Sequence, residues 1–171
     1  FIGVDENLII CRHLRGWKLP RAQTKATERI RRIINANIPG VRLMGRMLQD
    51  LKFQFFEEPC PWEEVSETKK VADTLDIPIA FGEQNSSLWG FDWMLSTGVM
   101  QIAQPDLNYN GGFIRELRVA RIARKYKAPI TPHNTQTGAA GAKIVQFASC
   151  CPNAGPWMEW PWREPEKAQS W

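Results

Sequence analysis

The sequence lacks the features that mark membrane, secreted and zinc-binding proteins. Its longest apolar runs fall far short of the roughly 20 residues that span a bilayer. Residues 1–3, Phe-Ile-Gly, do not begin a recognisable signal peptide. The four cysteines form no C-x-x-C pair and no metal-binding spacing, so we expect reduced, structural thiols. These absences predict a cytoplasmic protein with no membrane partner.

Acidic residues are scarce in residues 12–32, which we call the basic segment. It holds eight arginines and lysines and one acid, a net charge of +7, whereas the whole chain carries +4. Its single tryptophan, Trp17, offers little base stacking, and no nucleic-acid motif is present, so we expect no nucleic-acid partner. The pattern favours the solvated face of a basic helix over about 22–34, and a surface for phosphates or an acidic partner is the alternative.

The chain also lacks linkers and low-complexity stretches. Its 171 residues, of which 43% are hydrophobic, are enough for one domain with a core, so we predict a single domain over 1–171. The core is organised around residues 53–59, an apolar strand that runs into Glu57 and is stopped by Pro59. Four further ionisable residues follow apolar runs in the same way: Glu83, Asp106, His133 and Glu159.

These five strand ends are spaced by 23 to 27 residues. That interval is typical of a βα unit, a strand and a helix with two short loops. Side-by-side βα units form parallel strands whose carboxyl ends open on one face. The sequence therefore predicts an α/β fold with its chemistry on that face, and a last strand at residues 157–160.

Helical periodicity and capping residues predict the connections between these strands. Pro39 and Gly40 are expected to break the helical pattern before a helix at 41–51. Ser86 or Ser87 is expected to cap a helix that Gly98 closes. Further helices are predicted at 63–75, about 113–126 and 138–149, and the second of them is expected to face inward at Phe113, Leu117, Ala120 and Ala123.

Glu57 and Glu83 end neighbouring predicted strands and offer only oxygen ligands. Hard oxygen ligands select Mg²⁺, which keeps open positions for the oxygens of a substrate, so the pair indicates a metal-bound anionic substrate. The alternative is that each acid caps a helix N-terminus, which is the better explanation for any one acid alone. The regular succession of four acids favours a shared site.

His133 and Asp106 are predicted at matching heights on adjacent strands. The carboxylate would then bind one imidazole nitrogen and leave the other free to exchange a proton. A lone histidine is more often structural than catalytic, and the chain has only two. Because His133 follows a strand in register with three acids, both a catalytic and a structural role of this histidine remain as alternatives.

Four motifs at these strand ends resemble a known barrel in their order and spacing. They are Glu57-Glu58-Pro59, Gly82-Glu83-Gln84, Gln104-Pro105-Asp106 with Asn110-Gly111-Gly112, and Thr131-Pro132-His133. Over about residues 42–161 they resemble the enolase superfamily, in its mandelate racemase and muconate lactonizing enzyme branch with the acid-sugar dehydratases. The resemblance implies a partial TIM-type (β/α) barrel in which parallel strands alternate with helices.

The resemblance also implies a function, a Mg²⁺-dependent acid-sugar dehydratase, and roles for the motif residues. Glu57 and Glu83 would bind Mg²⁺, Asp106 and His133 would form the general acid/base dyad, and Glu159 would be a hydrogen-bonding electrophile near the substrate carboxylate. Family members remove the proton alpha to a carboxylate and form an enediolate, and in dehydratases the β-hydroxyl then leaves. The expected partner is thus a small carboxylate substrate, an acid sugar.

The chain departs from the family pattern in residues 1–41, which we expect to be divergent or rearranged. The third metal ligand of the family is an aspartate before Ala-Asn, and the nearest counterpart is the neutral Asn35, with Cys11 a poorer candidate. We therefore expect weak Mg²⁺ binding. The Lys-x-Lys strand and the N-terminal capping domain have no counterpart. With one base left, the pattern favours a dehydratase over a racemase or epimerase.

Only six or seven strands can be counted, whereas a closed barrel of this kind has eight. Open sheet edges expose unpaired backbone groups, so we expect the basic helix to cover the gap or a second copy to pair there in a homo-oligomer. We also expect poor activity of the chain alone. The alternative from a different class is a catalytically impaired remnant of the family that acts as a binding or structural protein.

Overall fold

The computed structural model describes residues 38–136 and 138–160. The predictions for the basic helix, Cys11 and Asn35 lie outside the described residues. Within them, helices alternate with short parallel strands, which confirms the predicted fold class. The elements are α1 (Ile38–Asp50), β1 (Phe56–Glu57), α2 (Val65–Ala72), β2 (Ile79–Phe81), α3 (Leu88–Ser96), β3 (Ile102–Ala103), α4 (Phe113–Lys125) and α5 (Gly138–Cys150).

The first of two compact units comprises residues 38–80 with Gly98–Met100. In it β1 pairs in parallel with β2, with Phe56 opposite Ile79. Helix α1 packs against α2, and Gly45 of α1 lies close to the side chain of Leu75, which follows α2. The apolar face of α1 is buried at Val41, Met44 and Leu48.

The second unit comprises Phe81–Thr97 and the described residues from 101 to 160. Gln104, directly after β3, donates its backbone N–H to the carbonyl of Phe81 at 3.0 Å. Beyond β3 the parallel pairing continues as single bridges. These join Ala103 to Ile130, Asp106 to His133, and Ile130 to Ala154. Helices α3 and α4 pack together, and the apolar core includes Phe91, Val119, Ala123, Ile144 and Phe147.

Two boundary predictions are wrong. Helix α1 begins at Ile38 rather than at residue 41, and Pro39 and Gly40 lie in its first turn, where proline is tolerated because the N–H groups of that turn have no intrahelical acceptor. Residues 157–160 form no strand, and the parallel partner of Ile130 is Ala154. Gly155 donates to the Ile130 carbonyl at 2.7 Å, and the following Pro156 has no N–H with which to extend the ladder.

The buried face of α4 differs from the predicted one. Phe113 was expected to face inward but is 37% exposed, whereas Glu116 is completely buried with Val119, Ala120 and Ala123. The positions 116, 119, 120 and 123 form a regular helical stripe, in which the acid replaces an expected apolar residue. The predictions for Ala120 and Ala123 are confirmed.

None of the helices in the described part of the chain combines the length and the hydropathy needed to cross a membrane.

The predicted caps of α3 are confirmed. Ser87 is the N-cap, and its hydroxyl accepts a hydrogen bond from the Gly90 N–H at 3.1 Å. Gly98 follows the helix with a φ of 73°, the left-handed conformation that glycine adopts without steric cost. Both ends of α3 are therefore fixed by local chemistry.

Replacing the cap should destabilise the protein measurably. We expect Ser87→Ala to lower the free energy of unfolding by about 1 kcal/mol, because the Gly90 N–H loses its acceptor. Ser86→Ala is the matched control, since Ser86 is an exposed neighbour whose backbone carbonyl accepts a hydrogen bond from Arg115. Urea unfolding of the two variants measures the difference, and equal midpoints would contradict the assigned cap.

Candidate active site

Backbone pairing brings the two members of the predicted dyad to the same level. Asp106 and His133 are opposite each other in a parallel bridge, and the His133 N–H donates to the carbonyl of Pro105 at 3.1 Å. One bridge earlier, the Thr131 N–H donates to the carbonyl of Ala103 at 2.9 Å. The two side chains therefore leave adjacent strand ends in register.

The side chains of this dyad meet in a short hydrogen bond. His133 Nδ1 lies 2.7 Å from Asp106 Oδ2, and both residues are buried. The other oxygen, Oδ1, accepts the backbone N–H groups of Asn108 at 2.6 Å and Tyr109 at 3.0 Å. Both carboxylate oxygens of Asp106 therefore accept hydrogen bonds.

The ionisation of Asp106 follows from these contacts. Burial by itself would raise the pKa of the carboxyl, but the hydrogen bond from His133, those from Tyr109 and Asn108, and the charge of His133 together lower the pKa below its usual value. Asp106 is therefore a carboxylate at neutral pH. A carboxylate only accepts hydrogen bonds, so the proton in the short contact belongs to Nδ1 of His133.

The second ring nitrogen of His133 faces two further carboxylates. Nε2 lies 3.4 Å from Glu83 Oε2 and 3.7 Å from Glu159 Oε2. Both contacts are longer than an ordinary N–H···O bond, so this nitrogen is less tightly engaged than Nδ1. The Asp106 carboxylate at Nδ1 stabilises the positive charge that the ring acquires when it takes up a proton.

Glu83 reaches this position through a glycine turn directly after β2. Gly82 has a φ of 116°, and a Cβ there would lie 2.8 Å from the ring of Phe91, so glycine is required on two counts. The Glu83 side chain is 3% exposed. Its Oε1 accepts a hydrogen bond from the Gln84 amide at 3.3 Å.

Glu159 comes from an irregular segment rather than from the predicted strand end. Asn134 fixes it, since its backbone N–H donates to Glu159 Oε2 at 2.6 Å and its side-chain amide donates to the Glu159 carbonyl at 3.4 Å. Asn134 Oδ1 also accepts the N–H of Gln136 at 3.0 Å, which makes an Asx turn. The sequence analysis missed Asn134, and its signal was an asparagine placed directly after a strand end.

The structure thus brings four of the predicted residues together: Glu83, Asp106, His133 and Glu159. Glu57 belongs to the first unit, where it ends β1 and is half-buried. The next residue, Glu58, has a φ of 37°, a left-handed conformation uncommon for a residue with a Cβ, and its N–H donates to the Ala80 carbonyl at 3.0 Å. This turn ends the strand beside Glu57.

The predicted magnesium ligands are Glu57, Glu83 and Asn35, and Asn35 lies outside the described residues. Among residues 38–136 and 138–160, no group of three or more His, Cys, Asp or Glu side chains is arranged to hold a metal ion. The ligand set therefore stays a prediction, as do the catalytic roles of His133, Asp106 and Glu159.

Comparison with known proteins finds acid-sugar dehydratases and mandelate racemase-like proteins among those similar to this chain. A D-galactonate dehydratase of Variovorax paradoxus is 33% identical over 116 residues, which are 68% of this chain and 30% of that protein. A solved structure of a proposed racemase from Roseobacter denitrificans is 37% identical with a TM-score of 0.71, over 76% of this chain and 36% of that one. A mandelate racemase/muconate lactonizing protein of Paracoccus denitrificans, solved with magnesium, is 28% identical with a TM-score of 0.65, over 70% and 32%.

The chain spans less than a third of the length of the curated dehydratases that it matches. Its alternating helices and parallel strands are therefore those of part of a (β/α) barrel, as predicted. The model of the enolase C-terminal domain-like family matches residues 36–170, which include all the strand-end motifs. The chain belongs to this family, in the mandelate racemase and muconate lactonizing enzyme branch of the enolase superfamily.

Proposed function

We propose that this chain carries the acid/base part of an acid-sugar dehydratase site, in which a proton alpha to a carboxylate is removed and a β-hydroxyl leaves as water. The observation that carries the proposal is the buried 2.7 Å contact between His133 Nδ1 and Asp106 Oδ2. The relationship to a D-galactonate dehydratase supports the substrate class, a small acid sugar.

His133 is the proposed proton-transfer group, and Asp106 orients it. With Nδ1 protonated and bonded to Asp106, Nε2 has a lone pair directed away from the dyad. The substrate Cα–H bond breaks, its proton moves to Nε2, and its electron pair remains on the substrate as an enediolate. The β C–O bond then breaks as the enediolate electrons form a Cα–Cβ double bond, and the hydroxyl takes the proton from Nε2 and leaves as water. The resulting enol tautomerises to a 2-keto acid, with the proton of its α-hydroxyl lost and a solvent proton added at Cβ.

Glu159 is the proposed hydrogen-bonding group near the substrate carboxylate. Its side chain is 16% exposed, the most accessible of the acids around His133, and the Asn134 N–H holds its Oε2 at 2.6 Å. Donation of a hydrogen bond to the substrate needs the protonated form of Glu159.

Mg²⁺ is the proposed cofactor, with Glu57, Glu83 and Asn35 as its ligands. The all-oxygen donor chemistry fits this ion, and a related protein has been solved with magnesium. A divalent cation would offset the negative charge that Glu83 presents to an anionic substrate. The described residues do not complete a ligand set, and Gln84 and His133 contact the side chain of Glu83.

Two other functions can be distinguished from a dehydratase by experiment. A racemase or epimerase normally needs a base on each face of the carbon, so detectable inversion of a 2-hydroxy acid would favour that alternative. A catalytically impaired remnant that acts as a binding or structural protein would combine no turnover with no Mg²⁺ affinity. The homo-oligomer and the cytoplasmic location stay predictions.

Removal of the His133 imidazole should abolish turnover. We expect the chain with Mg²⁺ to convert D-galactonate or another member of an aldonic-acid panel to a 2-keto acid, and His133→Asn to lower kcat by at least about 10²-fold. His13→Asn is the matched control, because His13 is the other histidine of the chain and belongs to none of the motifs. A colorimetric assay of keto-acid product measures both, and equal rates for the two variants would contradict the role of His133.

Glu83 should contribute to Mg²⁺ binding. Titration calorimetry of the chain should give weak binding, and Glu83→Gln should weaken it further because the ligand loses its charge. Glu63→Gln removes one carboxylate at an exposed position before α2 and is expected to leave the affinity unchanged. If both variants bind Mg²⁺ as the wild-type chain does, Glu83 is not a ligand.

A further inference from the structure

Two buried polar side chains lie close to the dyad. Glu116 is 0% exposed and Asn110 is 1% exposed. Neither carboxyl oxygen of Glu116 and neither amide atom of Asn110 has a hydrogen-bond partner within the described part of the chain. Buried polar groups are nearly always paired, so four unpaired atoms on two neighbouring residues call for a physical explanation.

Asn110 belongs to the segment that holds Asp106, which we call the dyad loop, residues 106–112, and Glu116 follows that loop in α4. The Asn110 N–H donates to the Asp106 carbonyl at 2.8 Å, and Arg115 Nε donates to the Asn110 carbonyl at 2.7 Å. Glu116 is in the first turn of α4, where its N–H donates to the carbonyl of Gly112 at 3.1 Å. A bond between the two side chains would therefore tie α4 to the loop that carries the dyad carboxylate.

A neutral carboxylic acid and a primary amide are complementary hydrogen-bonding groups. The acid O–H can donate to Asn110 Oδ1 while the acid carbonyl accepts from Asn110 Nδ2, which would pair all four atoms. A carboxylate has no proton to donate, so its pairing with the amide is incomplete. The pairing thus needs Glu116 in its protonated form.

The surroundings of Glu116 favour that form. Burial, followed by the charge of Asp106, raises the pKa of Glu116 to about 8, against smaller lowering effects of Asn110 and Lys143. The charged and titratable groups that face Glu116 are Asp106 of the dyad loop, Lys143 of α5 and Cys151 after α5. Glu116 therefore carries its proton at neutral pH.

We propose that Glu116, as a neutral acid paired with Asn110, is a positioning residue that fixes the dyad loop and so holds the Asp106 carboxylate against His133. Its catalytic meaning rests on the proposed function, whereas the pairing itself does not. Ionisation of Glu116 removes the donated hydrogen and adds a second negative charge beside Asp106. The loop is then held less firmly, and the Asp106 carboxylate is less well placed.

The proposal predicts a specific dependence of stability on pH. The folded-state pKa of Glu116 is raised from its ordinary value of 4.5 to about 8, so the folded chain binds one more proton than the unfolded chain between these values. The stabilisation is complete below about pH 4.5 and is lost as the pH rises to about 8. Glu116→Gln removes this titration and keeps an amide that can pair with Asn110 at every pH.

Urea unfolding of the full chain over this pH range tests the pairing. The wild-type midpoint should fall with rising pH more steeply than that of Glu116→Gln, and Glu63→Gln, which lacks an exposed acid, should follow the wild type. Parallel curves for the wild type and Glu116→Gln would overturn the proposal. This result needs no turnover, so it separates failure of the pairing from failure of the proposed function.

Kinetics distinguish a positioning role from a purely structural one. Between about pH 6 and about pH 9 the wild-type kcat should decline more than that of Glu116→Gln, with similar KM values, because the change affects the dyad rather than substrate binding. An identical decline of kcat in both proteins would contradict positioning of Asp106 by Glu116. Should the wild type give no product, the unfolding curves alone decide whether the pairing exists.

Discussion

The hydrogen bond between His133 and Asp106 is the interaction on which the rest of the candidate site depends. It exists because a parallel bridge sets the two residues opposite each other and both side chains are buried. A hydrogen bond with an ionised acceptor is stronger than a neutral one, and burial reduces competition from water. It fixes which ring nitrogen carries the proton and which one faces Glu83 and Glu159.

Burying several acids around one imidazole costs free energy unless each carboxylate is compensated. Backbone N–H groups compensate Asp106, the Asn134 N–H compensates Glu159, and the Gln84 amide contacts Glu83. Glu116 is the exception, since within the described residues neither of its oxygens accepts such a hydrogen bond, and its raised pKa removes the charge instead. A neutral Glu116 beside a charged Asp106 is how two carboxyl groups can share one buried region.

The sequence predicted the parts of the site that depend on strand periodicity. Asp106 and His133 each follow a proline at the end of an apolar run, and this matched spacing places them in register. Glu159 was predicted for the right neighbourhood but from the wrong element, because Pro156 ends the ladder and Asn134 holds the irregular segment. The position of the Glu159 side chain depends on its tertiary contact with Asn134, and the periodicity of the sequence does not encode that contact.

The burial of Glu116 was the least predictable feature. An acid in an arginine-rich helix is usually exposed, and the rotation of α4 that buries it is set by packing rather than by helical periodicity alone. Similarly, the sequence pattern predicted that α1 starts after Pro39 and Gly40, but both residues are compatible with the first turn of this helix. At Glu116 and at the start of α1, the local sequence does not decide between the possible structures, and tertiary packing does.

The tautomer of His133 tests the account most directly. The chain has two histidines, so ¹H–¹⁵N correlation spectra of ¹⁵N-histidine-labelled protein contain two rings, and His133→Asn assigns them. The account predicts that the neutral His133 ring carries its proton on Nδ1, with a strongly deshielded Nδ1–H resonance that is lost in Asp106→Asn. A wild-type ring protonated mainly on Nε2, or a spectrum unchanged by Asp106→Asn, would contradict it.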